Sequence, residues 1–143
     1  MSCSCIQLSD RKVKITENRL LFMRGKIVAG QGMGQYYISR EGYSRQFWQH
    51  LGFIPFPGTL NVLLEEPFPA QQQHPIKIEG FQEDGKSFGE CKCYLIKLNG
   101  IEAAVVRPER SCHPAELIEV VAPVQLRSAL GLEEGDPVEV LLL

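Results

Sequence analysis

The sequence predicts a mainly β protein, a compact barrel of short strands with short helices, and three observations carry that expectation. Six to eight apolar runs of strand length alternate with turn residues, and only two stretches have helical periodicity. No strand–helix–strand period repeats along the chain, which argues against a parallel nucleotide-binding sheet. At 143 residues the chain is long enough for one core without a metal or disulfide staple. Residues 1–19 read as a polar leader or an extra edge strand, and 20–143 as the barrel domain.

The first apolar run, Leu20 to Ala29, has Arg24 and Lys26 alternating with their neighbours, as a half-buried strand requires. After a glycine-rich loop, Tyr36-Tyr37-Ile38-Ser39 has the aromatic and β-branched content of a short strand. From Glu41 to Leu51, Tyr43, Phe47 and Leu51 recur at i, i+4 and i+8, the stripe of an amphipathic helix, and Gly52 stops it. The bend Phe53-Ile54-Pro55-Phe56-Pro57-Gly58 leads into a strand over 59–64. Period-2 geometry puts Thr59 and Asn61 on one of its faces and Leu60 and Val62 on the other.

A proline-containing loop follows over 67–75. Ile76-Lys77-Ile78 and Ser87 to Leu98 then flank a turn through Glu83-Asp84-Gly85-Lys86, and Asn99-Gly100 links the second of these to a strand from Ile101 to Val106. Both residues of that pair tolerate positive φ, which makes a tight hairpin. Leu117 to Val121 is a further strand. Pro123 suits the first position of a short helix through Leu126 and Leu130 that closes at Gly131. Gly135-Asp136-Pro137 turns into Val138-Glu139-Val140-Leu141-Leu142-Leu143, apolar enough to be central or to close a barrel.

A hydrophobic content of 44% with 22% charged residues is ordinary for a soluble protein, and no apolar run approaches the ~18 residues that cross a bilayer. The N-terminus has no signal-peptide core, so the expected location is cytoplasmic. The net charge of -2 conceals an asymmetry, since residues 11–45 hold eight Lys/Arg against two Glu. Subtraction from the totals of 15 and 17 leaves seven basic and fifteen acidic residues elsewhere. This fits either an anionic ligand near the glycine loop or a solvated basic face, and it argues against a broad nucleic-acid footprint.

Five cysteines, an odd number without an export signal, point to reduced thiols. The pairs Cys3/Cys5 and Cys91/Cys93 raise a four-thiolate zinc site, but structural zinc sites usually space their pairs as C-x₂₋₄-C. Residues two apart on a strand share a face, so Cys91 and Cys93 read more simply as buried neighbours, with Lys92 facing out.

The segment with chemical content is Gly30-Gln31-Gly32-Met33-Gly34-Gln35. Three glycines at alternate positions after an apolar run expose main-chain N–H groups to a ligand, although a bulge or tight turn uses glycines in the same way. The run has neither the Gly-Lys-Ser/Thr ending of a Walker A loop nor the spacing of a dinucleotide fold. Thr59 and Asn61 offer neutral oxygens that can complete a hydrated Mg²⁺ site whose charge comes from phosphates, or they cap the turn after Pro57-Gly58.

The motifs Gly25 to Tyr37, Leu51 to Asn61 and His113 to Arg127, in order and in register, resemble the archaeal CTP-dependent riboflavin kinase family. The resemblance runs from about Leu21 to the C-terminus. It implies a six-stranded cradle-loop barrel that phosphorylates riboflavin at the ribityl 5′-hydroxyl, using CTP and one Mg²⁺ and giving FMN and CDP.

By motif position it implies that Gly30, Gln31, Gly32, Met33, Gly34 and Gln35 wrap the nucleotide phosphates and that Val124, Gln125, Leu126 and Arg127 contact the cytidine. Thr59 and Asn61 would hold the metal, and Ser111 and Glu119 would lie against the flavin nucleotide. Ser111 stands where the family pattern has threonine, keeping the hydroxyl with a freer rotor.

Glu119 is the carboxylate of the third motif placed to accept a hydroxyl proton; either it orients or deprotonates the riboflavin hydroxyl, or it only hydrogen-bonds the ribityl chain. His113, before a proline in a loop, reads as a hydrogen-bonded or exposed residue rather than a base. The expected partners are the two small substrates, with no nucleic acid and no membrane, and the chain is expected to act as a monomer. A flavin or nucleotide sensor on the same barrel is the competing function, and DNA binding through the tail is disfavoured because residues 128–143 contain no Lys or Arg.

Overall fold

The computed structural model describes residues 21–30, 37–109 and 113–143. Its nine strands are β1 (Leu21–Val28), β2 (Leu60–Leu64), β3 (Ile76–Ile78), β4 (Phe81–Glu83), β5 (Lys86–Phe88), β6 (Cys91–Leu98), β7 (Ile101–Pro108), β8 (Leu117–Val121) and β9 (Pro137–Leu142). Helix α1 spans Glu41–Leu51 and α2 spans Leu126–Leu130.

Six strands close into an antiparallel barrel in the order β1-β2-β8-β7-β6-β9, with β9 pairing back onto β1. Closure is possible because β6 divides its length: Cys91–Cys93 pair with β3, while Ile96–Leu98 pair with β9. Ring closure leaves the barrel strands no open edge. Among the described residues, no helix is long and apolar enough to cross a membrane.

Two cores share the barrel wall. The interior is filled by side chains such as Ile27, Val62, Ile96, Val105, Ile118 and Val140. Outside the wall, Tyr43 and Phe47 of α1 pack with Ile78, Cys93, Ala104 and Val106. This explains why Ala103-Ala104-Val105-Val106 shows no alternation: successive residues enter the interior and the outer cluster in turn, so both faces are apolar.

Helix α1 is tied down by its polar residues as well. Gln46 donates through Nε2 to the Glu79 carbonyl at 2.9 Å and accepts from the Glu79 N–H at 2.7 Å, and the Tyr43 hydroxyl donates to the Gly89 carbonyl at 2.6 Å. The helix stops at Gly52, whose φ of 83° is left-handed and whose N–H donates to the Trp48 carbonyl.

Three sequence-based boundaries need correction. Tyr37 and Ile38 are helical rather than extended, because Ile38 is buried in the outer cluster beside α1 and the Arg40 N–H turns back to the Tyr37 carbonyl. The strand expected over 87–98 is broken at Gly89-Glu90; its first part forms a separate hairpin, β4–β5, in which Phe81 and Phe88 stack. Pro123 lies before α2 rather than at its first position, since Gln125 is the N-cap.

Cys91 and Cys93 are free and buried on one side of β6, as buried neighbours should be, and Lys92 between them is exposed. Among the described residues no group of three or more His, Cys, Asp or Glu is arranged to hold a metal ion; Cys3 and Cys5 lie outside the described residues. The Cys93 thiol is pushed well above its ordinary pKa, first by its hydrogen bond to Cys91 and then by burial. Little thiolate therefore forms at neutral pH. In native protein at pH 8, Cys93 should be alkylated at least about 100-fold more slowly than in urea-unfolded chain, as local-opening protection predicts. Site-resolved mass spectrometry after a maleimide pulse checks this.

Candidate active site

The candidate site lies on the outer wall where β1, β2, β8 and β7 run side by side. Antiparallel register sets Val28 opposite Asn61, Asn61 opposite Glu119, and Glu119 opposite Val106. Directly paired residues present their side chains to the same face, so one row crosses four strands. Leu60 and Val62 point the other way, into the core, which forces Asn61 outward.

Thr59 stands two residues before Asn61, and its hydroxyl donates to Glu119 Oε1 at 3.1 Å across 60 residues of sequence. The second carboxylate oxygen, Oε2, lies 3.7 Å from His113 Nδ1, an ion-pair distance if the imidazole is protonated but too long for a hydrogen bond. The Glu119 side chain is only 19% exposed and that of His113 33%.

Gly30 closes the other side of this row. A Cβ built on it would overlap the Asn61 carboxamide, whose Nδ2 is the nearest atom and whose Oδ1 lies farther off. The absence of a side chain at Gly30 therefore gives Asn61 its place, with the carboxamide oxygen turned away from β1. Two neutral oxygens, Thr59 Oγ1 and Asn61 Oδ1, thus share one face beside a carboxylate, a donor set that suits a hard cation with phosphate and water completing its shell. This fits Mg²⁺ better than zinc, since neither thiolate nor imidazole is among the pair.

Thr59 also borders a cavity of about 170 Å³ lined by Phe56, Pro57, Gly58, Leu60, Val120, Ala122 and the residues from Val124 to Arg127. The two walls are pinned together where the Phe56 N–H donates to the Ala122 carbonyl at 2.7 Å. Gly58, with φ of 127°, makes the bend that brings the first wall round. At the rim, the Ser128 hydroxyl donates to Gln125 Oε1 and holds that carboxamide.

The structure brings Gly30, Thr59, Asn61 and Glu119 together, and it sets Val124, Gln125 and Arg127 around the adjoining cavity. Leu126 lines the cavity too, and it is buried in the barrel core, as are the lining residues Leu60, Val120 and Ala122. Gln31, Gly32, Met33, Gly34, Gln35 and Ser111 lie outside the described residues.

Part of the basic excess near the glycine loop is compensated locally. Arg40 pairs with Glu83 at 3.6 Å, and Arg24 faces Glu139 at 3.7 Å on an exposed surface. Sequence reasoning missed Phe56 and Ala122 as cavity residues; the Pro55/Pro57 bend was the available signal, since it has to fold against something.

A closed antiparallel barrel thus carries the oxygen-bearing side chains of Thr59, Asn61 and Glu119 on its outer wall, next to a hollow the size of a small ring system. A family model named for CTP-dependent riboflavin kinases, with the description "Domain of unknown function DUF120", matches residues 27–142. The chain belongs to the CTP-dependent riboflavin kinase family.

It is 52% identical over 120 residues to a protein named riboflavin kinase from Methanocella arvoryzae, covering 84% of this chain and 56% of the relative. Similarity to riboflavin kinases of Ignicoccus hospitalis (48% over 125 residues, 84% of this chain and 70% of the relative) and Archaeoglobus fulgidus (43% over 136 residues, 92% and 58%) is comparable. The chain thus spans little more than half the length of two of these three relatives and 70% of the other.

Proposed function

We propose that the chain transfers the γ-phosphate of CTP to the ribityl 5′-hydroxyl of riboflavin, giving FMN and CDP. The observation that carries this reading is the double position of Thr59, which borders the cavity and is hydrogen-bonded to Glu119. A phosphate chain leaving a base in that cavity would pass Thr59 and Asn61 before it meets an acceptor hydroxyl at Glu119. The cavity's 170 Å³ is well below the roughly 300 Å³ floor for drug-sized ligands, which fits a pyrimidine base with its phosphates outside.

In this reading Val124, Gln125, Leu126 and Arg127 hold the cytidine, and main-chain amides from Gly30 through Gln35 hold the phosphates. Thr59 and Asn61 hold one Mg²⁺, which when bound neutralises charge on the phosphoryl group in flight. Glu119 and Ser111 hold the ribityl end of riboflavin. The 5′-oxygen forms a bond to the γ-phosphorus while the bond from that phosphorus to its bridging oxygen breaks. CDP leaves with the electron pair, and the hydroxyl proton passes to Glu119. The chain works as a monomer on two small substrates, in the cytoplasm, with no nucleic acid.

Incubation with riboflavin, Mg²⁺ and each nucleoside triphosphate in turn, followed by flavin chromatography, tests the reading. FMN should accumulate with CTP and not with ATP. Flavin or nucleotide binding without FMN from any donor would instead make the barrel a sensor.

A further inference from the structure

Thr59 has one hydroxyl hydrogen and two oxygen lone pairs, and the hydrogen is committed to Glu119 Oε1 at 3.1 Å. The lone pairs consequently face away from Glu119. Asn61, two residues on and on the same face, is the register partner of Glu119, so the carboxylate stands beside both oxygen donors. On its other sides Glu119 has Val106 opposite it on β7 and His113 Nδ1 3.7 Å from Oε2. Without an acceptor here, the threonine hydroxyl would rotate and could turn its hydrogen toward a cation.

We propose that Glu119 is a positioning residue for the Thr59–Asn61 pair: by accepting the Thr59 hydrogen bond, its carboxylate aims that oxygen's lone pairs at a divalent cation and raises their basicity. The inference depends on the reading of Thr59 and Asn61 as metal-holding residues, and it adds a role distinct from proton acceptance. One carboxylate oxygen serves Thr59, and the other remains for the flavin hydroxyl. Metal affinity thus depends on Glu119 before any flavin is present.

The test is Mn²⁺ binding, followed by the paramagnetic signal of the free ion, with CDP present and riboflavin absent. Glu119→Ala should weaken Mn²⁺ roughly thirtyfold, within the range for a lost outer partner of a metal ligand. Glu119→Gln, which keeps an acceptor oxygen, should stay within about threefold, since a neutral acceptor is weaker but still orients the hydroxyl.

The glutamine variant should nevertheless lose turnover, because it cannot take a proton. Thr59→Val should weaken Mn²⁺ at least as much as Glu119→Ala, and circular dichroism confirms that each variant is folded. If Thr59→Val weakens Mn²⁺ and Glu119→Ala does not, the positioning role is overturned and the metal reading stands. If Thr59→Val binds Mn²⁺ like the parent protein, the metal reading fails and the positioning role with it.

Discussion

Replacing Asn61 with leucine should lower riboflavin turnover by about 10²–10³, because in the proposed function its carboxamide oxygen helps hold the Mg²⁺ that supplies several kcal/mol of charge stabilisation. The fold should survive, since Asn61 is half-buried on the outer wall and its strand is anchored by Leu60 and Val62 in the interior. Gly30→Ala should act in the same direction without touching a donor atom, because its Cβ would displace the Asn61 carboxamide. Steady-state FMN formation against Mg²⁺ concentration checks both. The leucine variant should gain nothing from added Mg²⁺, whereas the alanine variant should recover part of its rate as the ion rises.

Removing the Phe47 ring should have the largest effect on stability. Phe47 is 1% exposed and joins α1 to the outer face of the wall through Ile78, Cys93, Ala104 and Val106. Phe47→Ala should cost about 3–5 kcal/mol, a large part of the 5–15 kcal/mol that holds a typical domain. Trp48, one position further along and 59% exposed, should tolerate alanine at a cost of about 0.5 kcal/mol. Urea unfolding of the two variants measures the contrast.

The same two residues show how far the sequence could be read. The i, i+4, i+8 spacing of Tyr43, Phe47 and Leu51 identifies the helix and its buried stripe, but it does not say that the stripe packs outside a barrel rather than within it. That follows from Ala103 to Val106 being apolar on both faces, which takes on meaning only once β7 lies between two cores. Tyr37 and Ile38 have strand-like composition and are helical because the outer cluster takes Ile38; tertiary packing there overrides a propensity worth less than about 1 kcal/mol.

At the site, period-2 geometry alone puts Thr59 and Asn61 on one face. The Thr59 contact with Glu119 spans 60 residues, and the pairing of Asn61 with Glu119 depends on the β2–β8 register, which no local pattern encodes. The approach of His113 to Glu119 is hidden for a related reason. They are six positions apart, but only the turn entering β8 sets the distance between imidazole and carboxylate.

Ring closure has a consequence for how this protein would fail. The carboxamide and the carboxylate are borne by adjoining staves of one hoop, with the hydroxyl just ahead of the first, and sliding either stave by a single residue would swing its polar group into the oily interior. Partial function through stepwise loosening is not available to such an arrangement. As the protein is warmed, catalysis and the hoop should give way at one temperature, with no dimmed intermediate between.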